Sequence, residues 1–262
     1  MLIVTLTAGW LLHRLLVDSF TKPISEHLQA DVETVSGGKR PHLIIVNLQR
    51  RKLDANRDKA EATFGDVESV RAWDTFHHYI DQAKASMGDG AAGLLLDIHG
   101  LTRSTVELGY RISKSRINAN NYGASTRELS SICALVKRTC DGGGVGAANA
   151  TCFRQIVRGA GSLGERLTAS VDADRDSLGY IVLPSVSQPA SSSYSYFTGG
   201  YNVKRHGSAG CGAQSASSSQ QIDAIQVETP RYIRFSSSKR QAYAYELAEA
   251  VVAFMDEFYA GW

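Results

Sequence analysis

The chain reads as an α/β protein with a largely parallel sheet, and three observations predict this. Short apolar runs of strand length alternate with longer stretches of helical periodicity, the order of strand, crossover helix and strand. The runs are continuous in Leu, Ile and Val, as in strands covered on both faces. The 262 residues, 43% hydrophobic and 21% charged, contain no linker long enough to separate independent cores, so one domain over 1–262 is expected.

Residues 15–35 place Leu16, Phe20, Ile24 and Leu28 at helical spacing, with Lys22-Pro23 marking a helix start. Ser36-Gly37-Gly38 breaks the pattern, and Leu43-Ile44-Ile45-Val46 then predicts a strand buried on both faces. Residues 58–87 carry Ala62, Val67, Val70, Trp73, Phe76, Ile80 and Ala83 in one long amphipathic helix, expected to cover a sheet face. Gly93-Leu94-Leu95-Leu96-Asp97-Ile98 predicts the next strand. Residues 118–164 read as Ser- and Gly-rich loops, with helical segments near 129–137 and 164–170. The run Asp141-Gly142-Gly143-Gly144 lacks the Lys-Ser or Lys-Thr of a phosphate cradle and reads as a loop. Further strands are expected at 180–183 and 222–228, separated by a long Ser- and Tyr-rich loop, and a helix at 241–259 with Leu247, Val251, Phe254 and Phe258 on one face.

Composition narrows the partners. A net charge of +2 with interspersed signs offers no footprint for a phosphate backbone, so no nucleic acid is expected. The apolar run 1–12 is too short to span a bilayer and lacks the basic opening of a signal peptide, so no membrane span is expected. Cys133, Cys140, Cys152 and Cys211 lack CxxC spacing and scaffold density. A bridge among the first three fits an oxidising setting, but thiols are the expectation. Compartment stays open, with the cytoplasm slightly favoured over secretion. The sequon Asn149-Ala150-Thr151 is no more than chance supplies in a chain of this size.

Three strand-end groups carry chemistry. Asp97-Ile98-His99-Gly100 sets an imidazole at the C-terminal end of a buried strand, where open α/β sheets place ligands; a packing histidine is the plain alternative. Asn47 to Arg57 follows another strand with a dense set of donors suited to a carboxylate, or to solvent. Gln226-Val227-Glu228 ends a third, offering a general base or a salt-bridged acid.

In order, Arg51-Lys52-Leu53-Asp54-Ala55-Asn56-Arg57, Asp97-Ile98-His99-Gly100, Glu107-Leu108-Gly109-Tyr110, Gly199-Gly200-Tyr201 with His206-Gly207-Ser208, and Gln226-Val227-Glu228 resemble motifs of the N-formylglutamate amidohydrolase family, nearest its animal branch, over roughly residues 15–258. The resemblance implies a zinc-exopeptidase-like (phosphorylase/hydrolase-like) fold: a mixed, mainly parallel sheet flanked by helices, with one catalytic zinc ion. It implies His99 and, in Val17-Asp18-Ser19-Phe20-Thr21, Asp18 as zinc ligands, and Glu228 as base. Asn56 and Arg57 would hold the substrate carboxylate, Arg51 the oxyanion, and His206 would touch substrate. The substrate would be a small N-acyl amino acid such as N-formylglutamate.

The family opens with a strand and a Pro-His-Gly-like turn whose histidine binds zinc. Neither is read in this chain, so a missing first strand, an exposed sheet edge and two zinc ligands instead of three are expected. His13 lacks the flanking Pro and Gly of a replacement. A catalytically silent carboxylate-binding homologue, or an incomplete gene model with further residues before Met1, are the other readings. His27, His42, His77 and His78 are expected to be structural.

Overall fold

The computed structural model describes residues 1–7, 18–88, 90–141, 149–172, 178–191, 193–211 and 221–262. Its strands are β1 (Leu2–Thr7), β2 (His42–Val46), β3 (Ala92–Leu101), β4 (Thr105–Gly109), β5 (Ile181–Leu183) and β6 (Gln221–Pro230). They form one six-stranded sheet in the order β2-β1-β3-β6-β4-β5. Every neighbouring pair is parallel except β4 with β6. This is the α/β fold with a largely parallel sheet that the strand and helix order predicts, in the mixed form, flanked by helices, that the resemblance implies.

The helices are α1 (Thr21–Val35), α2 (Lys59–Thr63), α3 (Val67–Ala85), α4 (Lys114–Asn118), α5 (Ala124–Leu129), α6 (Cys133–Cys140), α7 (Ala150–Arg158), α8 (Leu163–Asp172), α9 (Tyr201–His206), α10 (Arg231–Arg234) and α11 (Ser237–Phe258). Among the described residues no helix is long and apolar enough to cross a membrane. The expected single helix over 58–87 is two. Phe64 and Gly65 take left-handed backbone, φ 52° and 77°, and end α2; Asp66 then starts α3 by accepting from Ser69 N–H. Glycine tolerates that conformation and breaks the run despite its apolar spacing.

Four other expectations change. A first strand is present: Leu2–Thr7 lies between β2 and β3, inside the sheet. The sheet edges are therefore β2 and β5, and Leu43, Ile44 and Ile45 are half-buried rather than covered on both faces. β4 is not among the expected strands; it is only five residues long, and the acid at its centre disguises the strand pattern. The cysteines are paired, Cys133 with Cys211 and Cys140 with Cys152, joining α6 to the segment after α9 and to the first turn of α7. Asn149 of the sequon caps α7, accepting from Cys152 N–H at 3.0 Å. The glycines 142–144 and His13 lie outside the described residues.

Strand side chains alternate between two faces. On one, Leu2, Val4, Leu6, Leu94, Leu96, Ile98, Ile225 and Val227 join Ile24, Leu28 and Val32 of α1 and Leu247, Val251 and Phe254 of α11 in the main core. Each such buried side chain contributes about 1.5–3 kcal/mol. On the other, Ile3, Leu95, Ile222 and Ala224 meet Trp73, Phe76 and Ile80 of α3.

Candidate functional site

The second face changes character along its strands. Two residues beyond Ile3 comes Thr5; beyond Leu95 come Asp97 and His99; beyond Ala224 come Gln226 and Glu228, all buried. Strand register sets Thr5 beside Asp97, Asp97 beside Gln226, His99 beside Glu228, and Glu228 beside Glu107 of β4. A polar row thus crosses four strands at the C-terminal ends of the parallel ones, the usual ligand position in such sheets.

His99 is held between two carboxylates. Its Nε2 lies 2.8 Å from Asp97 Oδ2 and its Nδ1 3.2 Å from Asp18 Oδ1. Burial lowers the affinity of the ring for a proton, but the charges of Asp97 and Asp18 outweigh it and hold the imidazole well above its ordinary pKa. Burial likewise works to raise Asp18, yet His99 and Arg50 keep that carboxyl below its usual range. Asp18 precedes α1 and also accepts from Gly100 N–H at 3.0 Å and Arg50 Nη1 at 3.0 Å. Asp97 Oδ1 accepts from Thr5 Oγ1 at 2.9 Å and Asn202 Nδ2 at 3.1 Å. Both oxygens of Asp97 are therefore engaged.

Glu228 is different. Its Oε1 accepts from Gln226 Nε2 at 2.8 Å, while its buried Oε2 has no partner among the described residues. Burial lifts its pKa to about 7; His99 opposes this, and the charges of Asp18 and Glu107 add to it. Glu107 itself is satisfied by Arg103, Thr105 and the N–H of Phe197.

Asn56 turns its amide nitrogen to within 3.2 Å of His99 Nε2, because its Oδ1 accepts from Asn202 N–H at 2.9 Å. Gly200 makes room for it: a Cβ there would stand 2.4 Å from Asn56 Nδ2. Beside Asn56 opens a cavity of about 340 Å³, whose walls include Arg57, Arg111, Gly200, Tyr201 and Lys204. Arg57 is half-exposed, with its Nε 3.6 Å from Asp54 Oδ2.

Asp18, His99, Asn56 and Glu228 are thus brought together, with Arg57 at the adjoining cavity. Arg51 is not: it is exposed and bonds Gln49 Oε1 at 2.6 Å. The tight turn at 49–53, in which Gln49 O accepts from both Lys52 and Leu53 N–H, sends Arg50 inward instead, to Asp18 and to Asp54 at 2.5 Å. His206 also lies elsewhere. It is buried at the end of α9 against α3, its Nε2 2.8 Å from His77 Nδ1 and its Nδ1 3.2 Å from Lys84 Nζ. Burial lowers the pKa of both rings, that of His77 to about 3. His27, His42 and His78 lie at intermediate or exposed positions on α1, β2 and α3.

Sequence reading assigns no individual role to Arg50 or Gln226 and misses Asn202 and Arg234. Arg234 is fully buried and donates to Thr229 O at 3.0 Å, Ser19 O at 2.5 Å and Leu101 O at 2.9 Å, tying together the ends of β6 and β3 and the residue after Asp18. The only local hint at Asn202 is its place after Gly199-Gly200-Tyr201.

The donor set fits two positions of a zinc site. Nitrogen and oxygen ligands at about 2.0–2.1 Å from a tetrahedral ion lie about 3.3 Å apart, close to the 3.2 Å between His99 Nδ1 and Asp18 Oδ1. Asp97 on the other ring nitrogen is the usual outer partner of a metal-binding histidine. A catalytic zinc normally has three protein ligands, and the described residues bring two to this point. Elsewhere, Glu128, Cys133 and Cys211 are grouped closely enough to suggest a metal, but their sulfurs are bonded to each other and offer no thiolate.

No protein-family model matches the chain, and no curated protein matches it. Among solved structures it is similar to an N-acetylmuramoyl-L-alanine amidase from Clostridium difficile 630, with 13% identity over 97% of each chain and a TM-score of 0.37. It is also similar to the catalytic domain of CwlV, an N-acetylmuramoyl-L-alanine amidase from Bacillus (Paenibacillus) polymyxa var. colistinus, with 9% identity, 97% and 98% of the two chains covered, and a TM-score of 0.33.

Proposed function

We propose that the chain is an amide hydrolase of the N-formylglutamate amidohydrolase type, acting on a small N-acyl amino acid. The observation that carries this reading is Glu228, a buried carboxyl with one oxygen unpartnered and a pKa lifted to about 7, in register beside His99. A general base for water works best when its pKa lies near the operating pH and an oxygen is free to take a proton, and Glu228 fits both.

Asp18 and His99 would hold one zinc ion, which when bound supplies Lewis-acid polarisation of the amide carbonyl and a more acidic water. Glu228 takes a proton from the attacking water and returns it to the amine nitrogen as the C–N bond breaks, releasing the acyl acid and the amino acid. Asn56 and Arg57 hold the substrate carboxylate, and Arg50 keeps Asp18 oriented and ionised.

A second reading rests on His99: with Asp97 and Asp18 on its two nitrogens, the ring is fully hydrogen-bonded without an ion. This suits a silent carboxylate-binding protein. Elemental analysis after dialysis against zinc, with His99→Ala as control and N-formylglutamate turnover measured alongside, separates the two. About one zinc per chain and chelator-sensitive turnover are expected. A folded, metal-free, inactive chain whose carboxylate binding survives chelation would leave the second reading standing.

The two disulfides favour an oxidising compartment over the cytoplasm. Thiol titration of protein taken from its native source should find no free cysteine; four reactive thiols would return it to a reducing one.

A further inference from the structure

The chain's one Asn-x-Ser/Thr triplet is Asn149-Ala150-Thr151. A single triplet is what chance supplies, so its placement in the fold decides what it means. All three residues are exposed, at the start of α7. That helix turns Phe153, Ile156 and Val157 into the main core, while Ala150, Thr151 and Gln155 stay on its outer side with Asn149. The candidate site lies elsewhere, along the polar row that continues the cluster beneath α3.

The two ends of the Asn149 amide have separate tasks. Its Oδ1 accepts from Cys152 N–H at 3.0 Å and caps α7. Its backbone is extended, φ −65° and ψ 92°, one residue short of the helix, so the residue stands outside the helical ladder. Attaching a sugar replaces a hydrogen on Nδ2 and leaves Oδ1 where it is. A cap and a glycan are therefore compatible on one side chain. The cap alone explains Asn149 but not Thr151, which is exposed and among the weaker helix formers.

The neighbouring disulfide points to the compartment in which such a transfer takes place. Cys140–Cys152 ties the residue after the triplet back to the end of α6, and Cys133–Cys211 uses the other two cysteines, so none of the four is free. Bridges of this kind form in the oxidising lumen through which secreted chains pass, and N-linked glycans are added to surface asparagines of such chains.

We propose that Asn149 is an N-glycosylation site, carrying an oligosaccharide at the outer face of α7. In the transfer, Asn149 Nδ2 bonds to the anomeric carbon of an oligosaccharide held on a lipid pyrophosphate. The bond from that carbon to the pyrophosphate oxygen breaks, the lipid pyrophosphate leaves, and Nδ2 gives up one proton. Thr151 supplies the hydroxyl two residues on that the acceptor triplet requires. The proposal rests on the oxidising-compartment reading and is independent of the amide-hydrolase reading.

The test is mass spectrometry of the full chain from its native source, before and after enzymatic release of N-glycans in heavy-oxygen water. The intact mass should fall by one glycan, and position 149 alone should be read as an aspartate containing heavy oxygen. The same chain passed through a eukaryotic secretory pathway should lose the glycan in Thr151→Ala, which leaves the cap in place, and in Asn149→Asp, whose carboxylate still accepts from Cys152 N–H. Thr151→Ser should keep it. All of these variants should bind ligand as the wild type does. A native chain with its cysteines bonded and Asn149 bare would overturn the glycan site and leave the compartment standing. Four free thiols with a bare Asn149 would remove both. A glycan that persists in Thr151→Ala would overturn the assignment to this triplet.

Discussion

The two faces of the sheet start alike and end differently. Beneath α1 and α11 the strands are apolar over most of their length, Leu2 to Leu6, Leu94 to Ile98, Ile225 to Val227, with Asp223 at the start of β6 paired to Arg138 and Thr229 near its end. Beneath α3 they are apolar only at first, and then Thr5, Asp97, His99, Gln226 and Glu228 follow. The same backbone and the same alternation serve both, so the difference lies in what each face is for. An apolar face needs only burial, which is non-directional. The polar face must satisfy nearly every atom it buries, and among the side chains of its strand row Glu228 Oε2 is left unsatisfied, where a reacting group would go.

That contrast can be broken from either side. The largest stability loss is expected on the apolar face: Leu96→Ala, at a fully buried position, should cost about 2–5 kcal/mol in urea unfolding while leaving ligand affinity of the folded chain unchanged. On the polar face the order should reverse. Glu228→Gln removes a buried carboxylate that has one hydrogen bond; stability should hold or rise, while hydrolysis of N-formylglutamate falls at least about 100-fold. If stability falls as far as in Leu96→Ala, Glu228 belongs to the packing instead.

Gly200→Ala probes the join between site and cavity. The added methyl must displace the Asn56 amide, and ligand affinity should drop about ten-fold with a stability loss of about 1–2 kcal/mol. Unchanged affinity would detach Asn56 from binding.

Smallest at neutral pH, and growing with acid, is a pH dependence in the helices above this face. His77 has a folded pKa of about 3 against 6.5 when free. Between those values the unfolded chain takes up a proton that the folded chain refuses. Its contribution is therefore nil above about pH 6.5, and stability falls as pH drops from there towards 3, at most about 1.4 kcal/mol per pH unit. His77→Phe should flatten that slope between pH 6.5 and 5 in thermal melts; an unchanged slope would assign the acid sensitivity to other groups.

Local reading succeeds where period and punctuation suffice. Runs such as Leu94-Leu95-Leu96 announce covered strands, Asp97-Ile98-His99-Gly100 announces polar groups at a strand end, and the helical stripe of α11 needs no partner to be recognised. The strand Leu2–Thr7 is within reach of such a reading, since its residues are Leu, Ile, Val and Thr; it escapes because strand and buried apolar run look the same until neighbours are known. Disulfide pairing is beyond reach, because Cys133 meets Cys211 across 78 residues. So is the choice between Arg50 and Arg51, adjacent and chemically alike.

By itself, then, the sequence determined the α/β class, most of the element order and the residue types gathered at the strand ends, because these follow from periods of two and 3.6 along a local stretch of chain. Tertiary structure alone decided that Arg50 faces Asp18, 32 residues away, that His206 stacks on His77, 129 residues away, and that Asn202 reaches Asp97 across 105. Those contacts depend on how turns aim side chains and on which distant elements the sheet order brings side by side, and no local pattern records either.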